Sequence, residues 1–245
     1  MLGLFSKDRA LKRAMDKVVN KLAQSADRWA AMEKLAKDGS DESLYVLCKR
    51  FSFKYDKMIE DQQEKGWVVD TVSGKGKSAL PAVQRYIREA ASLHYPLAIL
   101  GRIADAETAL GVIDEILKVE PPGYTRDPER RADILAWLAE FDDASNAETT
   151  ARAIPYIADF DENVRYKAVD CVSLKPDSKA APALVEALIR PEEESRRLRV
   201  RIAEVLAENS WDLGDKKAEV SELLEPGQAL EAFKMHHDKL ERKDT

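Results

Sequence analysis

The stretch DENVRYKAVDCV, residues 161–172, decides the fold. Val164, Ala168 and Val172 recur every four residues and therefore lie on one face of a helix. Asp161 stands where a helix cap is preferred, and the small Ala168 lets a second helix approach closely. Since one short helix cannot cover such a face by itself, the pattern predicts that it is buried against a neighbouring helix.

The residues that follow complete a helical hairpin. Residues 164–189, VRYKAVDCVSLKPDSKAAPALVEALI, contain two short amphipathic segments joined by a Lys-Pro-Asp turn, with Pro182 in the first turn of the second segment. Residues 97–117 show the same order, with Ala104 and Asp105 at the break. The chain therefore contains a repeated unit of two helices.

One apolar position before each turn measures the period of this repeat. The residues at this position are Leu35, Leu100, Leu138, Val172 and Leu206. Successive residues in this series are 65, 38, 34 and 34 positions apart. The long first interval is expected to hold two units, and the period is that of paired-helix solenoids. About six units are predicted, over residues 28–53, 54–91, 94–119, 127–159, 161–190 and 194–224.

The unit resembles the HEAT-repeat family, in particular the short bacterial, phycobilin-lyase-like kind. That kind has Asp-x-x-Val-Arg-x-x-Ala in its first helix and Pro-x-Leu-x-x-x-Leu in its second. Seven residues carry the match: Asp161, Val164, Arg165, Ala168, Pro182, Leu184 and Leu188. The resemblance is strongest over residues 94–209. Arg165 is expected to reach a neighbouring cap or the carbonyl groups at a helix end.

We therefore predict an all-α fold, a right-handed α-α solenoid of about six HEAT-like hairpins with terminal capping helices. A content of 34% charged and 7% aromatic residues agrees with helices that have solvated faces. The predicted parts are a basic amphipathic capping helix over residues 1–27, the solenoid over 28–224, and a capping helix with a charged tail over 225–245. Pro155 is expected to kink a helix.

The first 24 residues carry six basic and two acidic side chains, in a chain whose net charge is -6. A helical stripe is predicted here at Leu11, Met15, Val18 and Leu22, and three further apolar residues precede it: Leu2, Leu4 and Phe5. Such a helix can cap the first hairpin, contact a partner protein or a second copy of the chain, or associate weakly with a membrane surface.

The stretch GWVVDTVSGKGKS, residues 66–78, is partly similar in sequence to a nucleotide-binding loop. A P-loop ending at Gly76, Lys77 and Ser78 requires a glycine at position 71, where this chain has Thr71. The stretch is therefore interpreted as an exposed loop between helices.

No catalytic, cofactor-binding or metal-ligating residue is predicted. His94, His236 and His237 do not have metal-ligand spacing with Cys48 or Cys171. Both cysteines lie in apolar helical patterns and are expected to be buried thiols.

Charge and hydropathy limit the partners and the cellular location that we expect for the protein. A net charge of -6 argues against a general nucleic-acid binder, so no specific nucleic-acid partner is expected. The opening residues lack the apolar run of a signal peptide, and no run is long enough for stable membrane insertion. A cytoplasmic location is predicted.

The resemblance implies a non-catalytic, bacterial scaffold or adaptor that binds another protein and is not an enzyme. Binding is expected through the concave face or through the N-terminal helix with Leu2, Leu4 and Phe5. The concave face is expected to use polar residues of the second helices, where Lys49 and Arg50 also lie: Gln84, Arg85, Arg88, Lys118 and Arg152.

Two enzymatic alternatives stay open, both from repeat families of this architecture. An alkylpurine DNA glycosylase, or another DNA-binding protein, would use Trp137, Phe141 and Asp142 to hold a cationic base. An enzyme similar to the phycobilin lyases would need Cys48 or Cys171 in an apolar cleft.

Overall fold

The computed structural model describes residues 2–243, with side chains from residue 9 onward, and it confirms the all-α solenoid fold class. Within that range the chain forms thirteen α-helices, several 3₁₀ turns and one β-hairpin. The helices are α1 Leu2–Val19, α2 Ser25–Asp38, α3 Asp41–Cys48, α4 Met58–Ser73, α5 Leu80–Glu89, α6 His94–Ile103, α7 Ala106–Val119, α8 Glu129–Glu140, α9 Asn146–Ala153, α10 Glu162–Leu174, α11 Ala181–Ile189, α12 Arg196–Glu208 and α13 Lys217–Glu222. The strands are β1 Phe233–His236 and β2 Lys239–Arg242.

The chain divides into two compact units, Met1–Val119 and Glu120–Thr245, called here the N-terminal and the C-terminal unit. The N-terminal unit holds α1 and the hairpins α2–α3, α4–α5 and α6–α7. The C-terminal unit holds the hairpins α8–α9, α10–α11 and α12–α13, followed by the two strands. The described residues thus form the six hairpins that the period predicts.

Each unit packs its hairpins in sequence order. In the N-terminal unit α2 contacts α4, α4 contacts α6, and α1 packs on α2 and α3. In the C-terminal unit α10 packs between α8 and α12. The five residues that measure the period all have 0% exposure: Leu35, Leu100, Leu138, Val172 and Leu206. Complete burial of such side chains is worth about 1.5–3 kcal/mol each, so this position is a main source of stability.

Helix α10 shows why the deciding stretch folds as it does. The Asp161 carboxylate accepts a hydrogen bond of 3.0 Å from the Val164 amide and caps the helix. Val164, Ala168 and Val172 are completely buried, and α10 packs against α8. Arg165 donates 3.0 and 2.9 Å hydrogen bonds to the carbonyls of Asp159 and Phe160, as the sequence predicts.

Arginine recurs every 34 residues in the first helices of the C-terminal unit, at positions 131, 165 and 199. Arg131 Nη1 lies 3.0 Å from Asp159 Oδ2, and Arg165 Nε lies 2.8 Å from Glu193 Oε2. Arg199 donates to the carbonyl of Arg190. Each arginine therefore ties its helix to a connecting loop.

The stretch 66–78 is more helical than predicted. Helix α4 continues to Ser73, because Val68, Val69 and Val72 have helical spacing and are buried. Only the residues after Ser73 leave the helix, and Lys77 there pairs with Asp105 at 2.8 Å. The predicted exposed loop is therefore wrong over residues 66–73.

The predicted kink at Pro155 takes the form of a helix end. Helix α9 stops at Ala153, and Pro155 lies in the 3₁₀ turn Ile154–Ala158. Proline lacks the amide hydrogen that would continue the α-helical bonding.

The described part of the predicted C-terminal capping helix, residues 225–243, does not form a helix. Strands β1 and β2 pair antiparallel, with Phe233 opposite Arg242 and His236 opposite Lys239. His237 in the two-residue turn has a φ of 55°, and strand β2 packs on α12. Alternating Phe-Lys-Met-His and Lys-Leu-Glu-Arg residues favour strands over a helix.

Candidate functional site

Five charged side chains are buried together in the N-terminal unit, where α2, α4 and the 3₁₀ turn after α3 meet. We call this group the charge network: Arg28, Arg50, Asp61, Glu64 and Lys65. None of them is more than 6% exposed. Charged groups are rarely buried to this degree unless they are paired, so their partners decide whether the fold tolerates them.

Glu64 is the centre of the charge network. Its Oε2 lies 3.0 Å from Arg28 Nε and 2.6 Å from Arg50 Nε. Its Oε1 accepts from Arg28 Nη2 at 3.1 Å and from Ser25 Oγ at 3.2 Å. Both carboxylate oxygens are thus occupied by donors from two other parts of the chain.

Asp61 pairs with the remaining cation. Its Oδ1 lies 2.6 Å from Arg50 Nη2 and its Oδ2 lies 2.8 Å from Lys65 Nζ. Burial lowers the pKa of Lys65 in spite of this partner. With three cations and two carboxylates, the charge network carries one uncompensated positive charge at neutral pH.

Aromatic rings cover the cations of the charge network. The Arg28 guanidinium carbon lies 4.4 Å from the centre of the Tyr55 ring, and that of Arg50 lies 4.4 Å from Phe53. These distances are in the range of cation–π attraction. The rings thereby stabilise positive charge that the two carboxylates leave unbalanced.

We expect the charge network to make the stability of the fold depend on acid. Burial opposes the charge of Asp61, but its hydrogen bonds with Lys65 and Arg50 outweigh burial and hold its pKa below the ordinary 3.8. A carboxylate with a depressed pKa stabilises the fold fully above its unfolded pKa, and this stabilisation is lost as the pH falls through the folded pKa.

The check is urea unfolding of the wild-type protein and Asp61→Asn between pH 6 and pH 2.5. The free energy difference between them should narrow below about pH 4, by about 1.4 kcal/mol for each unit by which the pKa is depressed. A difference that stays constant over this range would contradict the assignment.

A pocket of about 570 Å³ adjoins the charge network. It lies between residues 21–25, at the start of α2, and residues 54–60, at the start of α4; Arg28 on α2 also lines it. Four cationic and two anionic side chains line it: Lys21, Arg28, Lys54 and Lys57, with Asp56 and Glu60. We call it the basic pocket.

Two of the three lysines that line the basic pocket, Lys21 and Lys54, are free donors. Lys57 Nζ is engaged by Glu60 at 3.1 Å, and this contact is the main cause of the depressed pKa of Glu60. Lys21 and Lys54 are exposed, and neither has a salt-bridge partner among the described residues. The lining therefore has charge available for a ligand.

Two helices begin at the basic pocket. Gln24 precedes α2 and Lys57 precedes α4, and neither side chain caps its helix. The first amides of a helix carry partial positive charge and need acceptors. They add to the positive potential that the lysines and Arg28 produce.

The predicted concave-face residues lie elsewhere. On α5, Arg85 stacks 3.6 Å from the centre of the Tyr45 ring and pairs with Glu42 at 2.6 Å, while Arg88 lies 3.8 Å from Glu115. None of these residues lines the basic pocket.

The other predicted contact residues are not brought together either. Gln84 is half-buried on α5, Lys118 is exposed on α7, and Arg152 of the C-terminal unit donates to the carbonyl of Glu148. The side chains of Leu2, Leu4 and Phe5 lie outside the described residues. Of the stripe beyond them, Val18 is buried, but Leu22 is 86% exposed and lines the basic pocket.

Arg50 was predicted to lie on the solvated face of a second helix, and it is completely buried. A signal for its environment is present in α4. Asp61, Glu64 and Lys65 share a helical face with Val68 and Val72, so charge and apolar residues continue one buried stripe.

The aromatic and cysteine residues on which the two enzymatic alternatives depend are packed or buried in the fold. Trp137 and Phe141 stack on each other with ring centres 4.3 Å apart, which leaves no space for a base between them. Cys48 and Cys171 are completely buried as predicted, and burial raises the pKa of each thiol to about 12. Such thiols are inert as nucleophiles.

Among the described residues, no three His, Cys, Asp or Glu side chains are grouped so as to hold a metal ion. None of the described helices combines the length and apolarity that crossing a membrane requires.

No protein-family model and no curated protein matches the chain. A solved structure, human deoxyhypusine hydroxylase in complex with glycerol, is similar over 94% of this chain and 94% of that chain, with 15% sequence identity and a TM-score of 0.32. No activity is transferred from a likeness of this size.

The comparison corrects two predictions. The similar structure is that of an enzyme, which contradicts the prediction of a non-catalytic scaffold or adaptor and the prediction that the chain is not an enzyme.

Proposed function

We propose that the protein binds an oxyanion-bearing ligand, a carboxylate or a phosphate, in the basic pocket. The observation that carries the proposal is the juxtaposition of the pocket lysines with a charge network that has one uncompensated cation. Arg28 belongs to both, since it is 1% exposed, binds Glu64 and also lines the pocket.

The geometry favours an anion over a neutral ligand. Lys21 and Lys54 supply exposed cations from two separate segments that line the basic pocket, while the two helix starts supply amide groups. An anion would thereby offset the excess positive charge of the charge network. Tyr55 and the exposed Leu22 provide apolar contact for the rest of the ligand.

The oxyanion has two sources with the same chemistry, a free metabolite or an acidic side chain of a partner protein. A protein partner is the proposal that the sequence already favours. Citrate and inorganic phosphate represent the first source, and a capped peptide with two adjacent glutamates represents the second.

Isothermal titration calorimetry with these three probes tests the proposal. We expect the double variant Lys21→Ala, Lys54→Ala to weaken binding about fivefold to thirtyfold, since each exposed charge contact is worth about 0.5–1 kcal/mol. Asp56→Asn should strengthen binding about twofold, because it removes a repelling charge from the lining.

The matched control is Lys34→Ala, Lys37→Ala, which removes the same charge from exposed positions of α2 outside the basic pocket. It should leave binding within twofold of the wild-type value. Equal losses in both double variants would show attraction by net charge and would overturn the proposal. The tighter-binding probe identifies the source of the oxyanion.

We also propose that the repeats are of the short bacterial HEAT kind and that the protein is cytoplasmic. The recurrence of arginine at positions 131, 165 and 199 supports the short bacterial HEAT kind. Two free, buried cysteines are in keeping with the proposed cytoplasmic location, where thiols stay reduced.

A further inference from the structure

The C-terminal unit contains a second pocket, of about 380 Å³, between α11 and the loop that joins α12 to α13. Pro182 and Val185 on α11 and Leu213 in the loop give it apolar walls. Trp211 also lines it and is half-buried. We call it the acidic pocket, for the reason that follows.

The charge of this pocket is opposite to that of the basic pocket. Three carboxylates line it, from Glu186, Asp212 and Asp215, against one cation, Lys216. Lys216 Nζ lies 3.9 Å from Glu186 Oε1, a loose contact that it shares with Glu219 at 3.7 Å. The lining therefore keeps two uncompensated negative charges.

The three carboxylates differ in the hydrogen bonds and salt bridges that they already make within the protein. Asp212 Oδ1 accepts a 2.7 Å hydrogen bond from the Gly214 amide, which fixes the loop. Asp215 is exposed and has no salt-bridge partner among the described residues. Glu186 is 65% exposed and has only the loose contact with Lys216. Asp215 and Glu186 are thus the groups available to a ligand.

We propose that the acidic pocket binds an organic cation, an alkylammonium or guanidinium group carried on an aliphatic chain. The aliphatic part would contact Pro182, Val185 and Leu213. The cation would lie near Asp215 and Glu186 and against the indole of Trp211, since carboxylates together with an aromatic face are the chemistry that holds such groups. This site shares no residue with the basic pocket, so it stands independently of the proposed function.

The cation can come from a free amine or from an arginine side chain of a peptide. The probes are therefore n-butylammonium and N-acetyl-arginine amide, with 1-butanol as the neutral match of the first. Binding is followed by NMR of the indole Nε1–H of Trp211, identified by its loss in Trp211→Phe. We expect a saturable shift of this signal with the cations and none with 1-butanol.

Three variants test whether binding changes in the direction that the charges predict. Asp215→Asn should weaken binding about twofold to fivefold, as expected for an exposed charge contact. Lys216→Gln should strengthen binding by a similar factor, because it removes the competing cation. Glu222→Gln, an exposed position on α13 outside the acidic pocket, is the matched control and should change nothing.

A saturable shift with opposite effects of Asp215→Asn and Lys216→Gln supports the proposal, and the tighter-binding probe identifies the source of the cation. An equal shift with 1-butanol would mean an apolar site and would overturn the proposal. So would equal affinity of all three variants.

Discussion

Glu64→Gln should lower the free energy of unfolding by about 3–5 kcal/mol, the largest effect expected in the N-terminal unit. Glu64 accepts from both Arg28 and Arg50, and all three side chains are at most 1% exposed. Without its charge, three buried cations would face the single carboxylate of Asp61. Removing one partner of a buried ion pair is costly because the other charge stays in a medium of low polarity.

Urea unfolding at pH 7 measures this loss. Glu33→Gln, an exposed position on α2, removes the same charge and should change the free energy of unfolding by less than about 0.5 kcal/mol. The double variant Arg28→Gln, Glu64→Gln should recover part of the loss, because it removes one of the unpaired cations. A loss below 1 kcal/mol in the single variant would mean that water reaches the charge network.

Asp159→Ala should cost a similar amount in the C-terminal unit, about 3–5 kcal/mol. Asp159 is 1% exposed and accepts from Arg131 Nη1 at 3.0 Å, from the Gly123 amide at 3.2 Å and from the Asp161 amide at 2.9 Å. The variant leaves the buried Arg131 without its counter-charge and two amides without an acceptor.

Thermal and urea unfolding followed by circular dichroism measure this second loss. Asp143→Ala, an exposed position after α8, is the control and should lie within about 0.5 kcal/mol of the wild-type protein. Equal stabilities of the two variants would show that the loop before α8 does not depend on Asp159.

The hairpins were predictable because their signals are local. Val164, Ala168 and Val172 define a buried face within nine residues, and the same position recurs at intervals near 34 along the chain. Leu22 shows the limit of such patterns. It continues the apolar stripe of α1 by spacing, but α1 ends at Val19, so its side chain is exposed.

The charge network was not predictable, because its pairs form only when separate helices pack. Arg28 and Arg50 meet Glu64 from 36 and 14 residues away, and each resembles an ordinary surface arginine in its own segment. The basic pocket depends on the same packing. The C-terminal hairpin did have a local signal, the alternation of Phe233, Met235 and Leu240 with polar residues, which a helical interpretation of residues 225–245 overlooked.

The reversed charge in α4 has a consequence for assembly. Arg28, Arg165 and Arg199 are the fourth residues of α2, α10 and α12, whereas α4, α6 and α8 have Asp61, Leu97 and Ala132 at that position, and only α4 has the opposite charge there. If every first helix carried the same arginine there, one hairpin could replace another during folding, since their contacts would be alike. Asp61 and Glu64 instead select a neighbour that brings two guanidinium groups. Misordered and domain-swapped forms, to which repeat proteins are prone, are thereby disfavoured.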